Sequence, residues 1–362
     1  MKRALKLAEK GKGFVDPNPL VGAVIVKDQK IIGEGYHAMY GEAHAEVNAF
    51  QNAYESPNGA TMYVTLEPCS HYGNTPPCAD LIVKHSISRV VIASLDPNPL
   101  VAGKGIEILK NAGIETEVGI LDDENQQLNR VFFKYIQTNL PFVAMKTAMT
   151  ADGKIASYTY DSKWITNSLS RQWVHQLRAS LKGIMVGVNT VIHDDPSLNV
   201  RLETPNTRQP IRIILDTRLD IPLNAEVIQT ARQQPTIIVT TSKASSDKLE
   251  SLKKTGVTLL TASIKDGEVD LLDALKKLAS MKINSILLEG GSAVNFSAMQ
   301  AGVIDEIYSF IAPKILGGSN ALSPVGGKGI AALKDAFQLK LQAINRFDDD
   351  ICLTYTINKE DE

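Results

Sequence analysis

"ATMYVTLEPCSHYGNTPPCADLIVKH" occupies residues 60–85. Residues 60–66 are a β-rich run. Pro76 and Pro77 stand just ahead of Cys78, where proline suits a helix start, so 78–85 predicts a helix. Strand, loop and helix in succession make one repeat of an α/β layout, and the flanking sequence continues it. "VGAVIVKD" (21–28) and "KIIGEGY" (30–36) read as strands joined by a turn at Asp28-Gln29. "AHAEVNAFQNA" (43–53) reads as a helix, as do residues 2–10, where Leu5, Leu7 and Ala8 share helical spacing. Further on, "RVVIAS" (89–94) is a buried strand, "GKGIEILKNAG" (103–113) a helix ended by glycine, and "ETEVGIL" (115–121) a strand. "DDENQQLNRVFFKYIQ" (122–137) reads as one long helix. Strands that alternate with helices predict the α/β class with a largely parallel sheet.

The reactive residues gather at the starts of two of these helices. His44-Ala45-Glu46 opens one; Pro68-Cys69 follows a strand, and Cys78 opens the next helix. Taken singly, His-Ala-Glu at a helix start is ordinarily a polar cap, and two cysteines nine positions apart are ordinarily small buried residues. Together, one imidazole and two thiolates make three ligands and leave a fourth tetrahedral position for water, the pattern of a catalytic rather than a closed structural zinc. A helix N-terminus also favours thiolate over thiol. Glu46 is not needed as a ligand; it is placed to take a proton from water and deliver it to a leaving amine. Zinc nucleobase deaminases carry H-x-E with P-C-x-x-C. Here the cysteine spacing is Cys-x8-Cys, so the match is not literal.

These residues carry a resemblance. "NPLVGA" (18–23), "HAE" (44–46) and "EPCSHYGNTPPC" (67–78) resemble the deaminase half of the RibD family, bifunctional deaminase–reductases of riboflavin biosynthesis. The resemblance implies a cytidine-deaminase-like three-layer domain. It implies zinc on His44, Cys69 and Cys78, Glu46 as proton shuttle, and removal of the 2-amino group of 2,5-diamino-6-(5-phosphoribosylamino)pyrimidin-4(3H)-one. It also bears on a repeated hexapeptide, Asp-Pro-Asn-Pro-Leu-Val, at 16–21 and again at 96–101. Nothing around the two copies matches, so no domain is duplicated, and the spelling is turn chemistry. In the family these loops line the pocket, which makes Asn18 and Asp96 substrate contacts and the two copies two walls of one cleft. His71 is a further candidate. The family usually carries Arg or Lys where this chain has Asn74, which leaves the ribose phosphate without that cation; Lys104 is the candidate replacement. The chain also begins closer to "RALKLAEKG" than is usual in the family, so a short preceding piece is expected to be missing.

"QTNLPFV" (137–143) breaks the last helix, which divides the chain into domains at 1–138 and 141–362 with a linker at about 138–141. The second half repeats α/β alternation: a run at 142–156, a helix at 168–181 capped by Ser168, and strands at 183–187, 211–215, 236–240 and 257–260. A helix at 270–281, a strand running into a glycine turn at 283–291, and strands at 305–313 and 350–357 complete it. Glu289-Gly290-Gly291-Ser292 ends a strand and opens a helix near Ala293, a ready anion site. GxGxxG is absent, so a Rossmann domain is not supported. "KTAMTADGKIA", "DSKWIT", "LRA", "VGVNTVIHDDPSLNVR", "RIILDT" and "LLEGGSAV" resemble the reductase half of the same family, which implies a dihydrofolate-reductase-like fold and NADPH. By matching motif, Ala148, Trp164, Thr190, Asp194 and the run Gly291, Ser292, Ala293, Val294, Asn295, Phe296 and Ser297 contact NADPH. Ser162, Arg178, Leu198, Arg201 and Glu289 contact the substrate, 5-amino-6-(5-phosphoribosylamino)uracil, with both arginines suited to its phosphate. Lys146 is the candidate proton donor.

The totals exclude other classes. A net charge of -2 and 6% aromatic residues do not favour a nucleic-acid base deaminase, which needs a basic stripe or stacking aromatics. No apolar run is long enough to span a membrane, and the N-terminus lacks a signal-peptide core, so a cytoplasmic location is expected. Three cysteines give no disulfide framework. A non-enzymatic zinc staple is disfavoured by the open coordination position and by Glu46. The expected partners are small phosphoribosylaminopyrimidines, with no nucleic acid and no membrane; the resemblance adds a homo-oligomer.

Overall fold

The computed structural model describes residues 1–70, 76–98, 101–203 and 207–357. The chain divides into two compact units, Met1–Leu140 and Pro141–Glu362.

In the first unit the strands are β1 (Gly22–Lys27), β2 (Lys30–Tyr36), β3 (Thr61–Leu66), β4 (Arg89–Ser94) and β5 (Glu115–Val118). The helices are α1 (Lys2–Ala8), α2 (Ala45–Gln51), α3 (Cys78–Lys84), α4 (Lys104–Asn111), α5 (Asp122–Leu128) and α6 (Arg130–Thr138). The sheet runs β2-β1-β3-β4-β5. β1 pairs antiparallel with both neighbours, and β3–β4 and β4–β5 are parallel, so the sheet is less parallel than the helix–strand alternation suggests. The cause is the hairpin at Asp28-Gln29, where both residues take positive φ, as a tight two-residue turn requires. Period-two alternation along β1 sends Ala23 and Ile25 to the core shared with α2, α3 and α4, and Val24 to the opposite face under α1. The result is three layers. Two glycines permit the closeness of these layers. A Cβ on Gly35 would lie 2.3 Å from the Ala45 carbonyl of α2, and one on Gly105 would lie 2.0 Å from the Pro68 carbonyl.

The single helix expected over 122–137 is two. Asn129 leaves helical geometry between α5 and α6, because its buried amide accepts from the Leu20 N–H (2.7 Å) and donates to the Leu20 carbonyl (2.9 Å). The strand expected over 115–121 ends at Val118, ahead of Gly119 at φ +97°.

The second unit is built on β6 (Phe142–Thr150), β7 (Gly183–Gly187), β8 (Ile211–Leu215), β9 (Thr236–Thr240), β10 (Thr258–Thr261), β11 (Ile264–Lys265) and β12 (Glu268–Val269). It continues with β13 (Ser285–Leu288), β14 (Glu306–Ala312), β15 (Leu339–Phe347) and β16 (Asp350–Ile357). Its helices are α7 (Ser168–Ser180), α8 (Val188–Asp194), α9 (Glu226–Gln229), α10 (Ser246–Lys253), α11 (Leu271–Ser280) and α12 (Ser292–Gln300). Nine strands form one sheet in the order β10-β9-β8-β7-β13-β6-β14-β16-β15; β11 and β12 form a separate hairpin. Every pairing from β10 through β14 is parallel, and β16 and β15 close the edge antiparallel. β13 enters between β6 and β7, strands laid down far earlier in the chain, so the carboxyl ends of all three come together. Such reversals of strand order are where open α/β sheets bind ligands. α7 is capped by Asn167, not Ser168: the Asn167 side chain accepts from Ser170 N–H at 3.0 Å. α8, of sequence VNTVIHD, escaped sequence reading because most of its residues are poor helix formers. β15 escaped because a bulge between Leu341 and Ala343 breaks its alternation. Among the described residues, no helix is long and apolar enough to cross a membrane.

Candidate active sites

The first site is assembled at two helix starts. His44 is the extended residue before α2, and Cys78 is the first residue of α3 behind Pro77. Cys69 follows β3, where its sulfur accepts the Cys78 N–H at 3.3 Å and its carbonyl accepts the Ala79 N–H at 3.2 Å. The first turn of α3 therefore draws the two thiols together. His44 Nδ1 lies 3.6 Å from Cys69 Sγ and 3.3 Å from Cys78 Sγ, and the three donor atoms lie within 4.8 Å of one another. The two thiols are driven in opposite directions. Hydrogen bonds from Cys78 and His44 hold the Cys69 thiol down at about 4, while the nearness of that anion and burial push Cys78 up. A metal ion between the two sulfurs would hold both as thiolates, and a His and two Cys suit zinc with one position open. Glu46, in the first turn of α2, is buried; burial and the Cys69 charge push its carboxyl up to about 7, a value suited to moving protons near neutrality.

Around this group, Asn18 Nδ2 lies 3.2 Å from His37 Nε2, and His37 Nδ1 lies 3.1 Å from the Ala43 carbonyl. The carbonyl accepts only from an Nδ1–H, so Nε2 is the lone-pair nitrogen and Asn18 donates to it. His37 was not singled out from the sequence. Asp96 accepts the Asn98 N–H at 2.8 Å and so folds its own loop. A buried relay runs from the first copy of the hexapeptide to the end of β4: Leu20 to Asn129, Asn129 to Asn125 (3.0 Å), Asn125 to Ser94 (2.8 Å), with Ser94 also donating to Asp122 (2.6 Å). Glu67 ties the second copy. Its buried carboxylate accepts the N–H groups of Gly103 and Gly105, both at 3.0 Å, and that of Asp96 at 3.4 Å. The signal for Glu67 was its place beside Cys69; nothing local marked Asn125 or Asn129. Lys104 opens α4 and is exposed. His71 and Asn74 lie outside the described residues.

The second site lies at the carboxyl ends of β6, β7 and β13. Glu289 follows β13 and accepts two hydrogen bonds from Arg178 of α7, Nε at 2.6 Å and Nη2 at 2.9 Å. Lys146 of β6 stands 3.9 Å from the same carboxylate. These cations hold the Glu289 carboxyl down at about 2 against its burial, and burial lowers Lys146. The Arg178 fork is therefore occupied, with Nη1 on the Asn199 carbonyl at 3.0 Å. Arg178 is thus paired with Glu289 in the fold, whereas the Arg201 residue is exposed and its Nη1 donates to Asn199 Oδ1 at 2.9 Å. Leu198 is buried with φ +49°.

Gly291 precedes α12, whose first turn has no side-chain cap, and a Cβ on Gly291 would lie 3.6 Å from Thr190 Oγ1. Uncapped N–H groups behind two glycines fit a dinucleotide phosphate. Buried Asn295 leaves its Oδ1 without a protein partner beside Gly290, a second sign of a missing group. The run is not uniform. Asn295 Nδ2 holds the Pro324 carbonyl (2.8 Å), Ser292 Oγ holds the Ser323 carbonyl (2.6 Å), and Phe296 is buried; Ala293 and Ser297 are exposed, and Val294 is half-buried. Ala148 lies on β6 opposite Phe310 of β14. Trp164 is 60% exposed under the Arg171 guanidinium (4.7 Å), Ser162 is half-buried in the same loop, and Asp194 ends α8 exposed.

Residues 141–353 match the RibD C-terminal domain, and residues 1–94 match the cytidine and deoxycytidylate deaminase zinc-binding region. The chain is 48% identical over 357 residues to the riboflavin biosynthesis protein RibD of Actinobacillus pleuropneumoniae, covering 99% of this chain and 94% of the relative.

The chain belongs to the RibD family.

It is likewise 47% identical to RibD of Aquifex aeolicus over 98% of its length and 97% of the relative. A solved Acinetobacter baumannii RibD superposes with a TM-score of 0.87 at 39% identity, over 99% of this chain and 97% of that one. A Thermotoga maritima structure, described as a diaminohydroxyphosphoribosylaminopyrimidine deaminase/5-amino-6-(5-phosphoribosylamino)uracil reductase, gives 0.87 at 37% identity, over 99% and 97%. This RibD chain is thus a bifunctional enzyme of riboflavin biosynthesis, with a zinc-binding deaminase domain and an NADPH-dependent reductase domain.

Proposed function

We propose that the first domain deaminates 2,5-diamino-6-(5-phosphoribosylamino)pyrimidin-4(3H)-one and the second reduces the resulting 5-amino-6-(5-phosphoribosylamino)uracil to its ribitylamino product. The observation that carries the reading is the convergence of His44, Cys69 and Cys78 within 4.8 Å beside buried Glu46. Those three residues would hold one zinc ion, which when bound would supply Lewis acidity toward water near neutral pH. Glu46 takes the proton from the attacking water on its carboxylate and returns it to the departing 2-amino nitrogen, which leaves as ammonia. Asn18, its amide fixed by the hydrogen bond to His37, keeps Oδ1 for an N–H of the pyrimidine edge. Lys104 is the candidate cation for the ribose phosphate.

In the reductase domain Gly291–Ser297, with Ala148, Trp164, Thr190 and Asp194, would hold NADPH, whose hydride chemistry would act at C1′ of the open-chain ribosylamine. Arg201 binds the phosphate, Ser162 and Leu198 shape the pocket, and the Arg178–Glu289 pair fixes its polar wall. Lys146, whose pKa burial lowers, gives up a proton more readily than Arg178 and is the donor at Nζ. Thiol ligands fit a reducing cytoplasm. A homo-oligomer is supported by the sheet-edge strand β15, which exposes Leu339, Leu341 and Ile344. The test is sequential. Ammonia release from the diaminopyrimidine without NADPH, followed by NADPH oxidation once it is added, is expected; NADPH oxidation without prior ammonia release, or no ammonia from zinc-loaded protein, overturns the order or the substrate.

A further inference from the structure

The segment Ser197–Arg201 joins α8 to the approach to β8 and lies in no strand or helix. Backbone outside regular structure must still find partners when it is buried. Here nearly every peptide is met by a long side chain from elsewhere. The Ser197 carbonyl takes Arg212 Nη1 (3.4 Å), the Leu198 carbonyl takes Gln234 Nε2 (3.1 Å), and the Asn199 carbonyl takes Arg178 Nη1 (3.0 Å). Gln209 grips Val200 twice, accepting its N–H at Oε1 (2.8 Å) and donating to its carbonyl from Nε2 (3.0 Å), as a neighbouring strand would. The Arg201 N–H points to His175 Nδ1 at 3.3 Å. Arg212 is itself buried on β8 and bonded to Thr236 Oγ1, Thr230 Oγ1 and the Gln234 carbonyl. No carboxylate accepts from it among these bonds; its donors are spent on hydroxyls and on backbone. The Glu226 charge reaches the guanidinium but makes none of these bonds, and burial still lowers the pKa of Arg212, so the arrangement is costly for stability alone. Its evident product is one fixed course for five residues, including Leu198 at positive φ, where a non-glycine residue is strained.

We propose that Gln209, Arg212 and Gln234 are positioning residues of the reductase: they form a side-chain clamp that holds Ser197–Arg201 in the one conformation that sets Leu198 and Arg201 against the substrate. The clamp rests on the reading above that Leu198 and Arg201 contact that substrate. It reaches residues that touch neither substrate nor cofactor, and it assigns a pre-organising function to a loop that would otherwise have to be ordered by the ligand.

Gln209 is exposed apart from its two bonds, so its replacement leaves the core intact. The experiment is steady-state reduction of 5-amino-6-(5-phosphoribosylamino)uracil by the full chain, with NADPH affinity read separately by cofactor fluorescence. Q209A is expected to raise KM for the uracil about tenfold, the scale of one to two lost hydrogen bonds, with kcat and NADPH affinity little changed. Q209E keeps the acceptor for Val200 N–H but loses the donor to the Val200 carbonyl, and its KM is expected between the two. R201A is the companion variant. A raised KM in R201A with an unchanged KM in Q209A overturns the clamp while leaving the contact by Arg201 in place. An unchanged KM in R201A overturns the contact and the clamp together. A parallel loss of kcat, NADPH affinity and melting temperature in Q209A assigns Gln209 to the fold alone and overturns the proposal.

Discussion

Glu46 and Glu289 are both buried carboxylates, yet their surroundings drive them in opposite directions. Burial and the Cys69 charge push Glu46 up to about 7 against the opposing His44; Glu289, though buried, faces Arg178 and Lys146 and is held at about 2. The first can exchange a proton near neutrality and the second cannot. Glu46→Gln is therefore expected to retain zinc by metal analysis and to lose deamination by at least about a hundredfold, the usual range for a general acid–base. Its NADPH-dependent reduction of the already deaminated uracil should be unchanged. For Glu289 the sign follows from its depression: the pair with Arg178 stabilises the fold above the ordinary carboxyl value of 4.5 and loses that contribution as pH falls toward about 2. Glu289→Gln leaves a buried guanidinium unpaired and is expected to cost about 3 kcal/mol at neutral pH. Thermal melting of both proteins should show the gap narrowing through that acid window; a gap constant with pH would contradict the ionised pair.

At the scale of elements, helix starts and helix breaks do the positioning. α2 and α3 present their ligands at their first turns, and this was legible because His44, Pro77 and Cys78 stand where caps and helix starts are read. The break at Asn129 was not legible, since "DDENQQLNRVFFKYIQ" shows continuous helical character and its interruption is enforced by Leu20, 109 residues away. Asn129→Ala frees both backbone groups of Leu20 in a buried site and is expected to destabilise the protein by about 2 kcal/mol, read by urea unfolding. Because the same amide holds the loop that carries Asn18, KM for the diaminopyrimidine should rise as well. A stability loss with unchanged KM would detach the relay from substrate recognition. β15 was missed for a related reason: a bulge shifts the phase of its alternation, and the strand is exposed along nearly its whole length, so no buried face marks it in the sequence.

Over the whole molecule, each unit has a hydrophobic core of its own, one around Ile25, Met62 and Ile92 and another around Ile184, Ile214 and Ile238. The two chemistries are thus separable. Removal of zinc with a chelator is expected to abolish ammonia release while NADPH oxidation on the deaminated uracil continues; loss of both together would mean that the reductase depends on the metal site.

The sequence by itself determined the two runs of alternating strand and helix, most of their elements, and where residues suited to zinc and to a dinucleotide stand. Those features rest on local causes: periodicity, proline and glycine punctuation, and reactive residues at element ends. Only the tertiary structure decided which polar groups meet. Arg178 meets Glu289, 111 residues away, and Glu67, Asn129, Gln209 and Gln234 become supports because distant backbone arrives with unmet donors and acceptors. A polar side chain's partner depends on where the fold brings the chain back. No short-range pattern encodes that return.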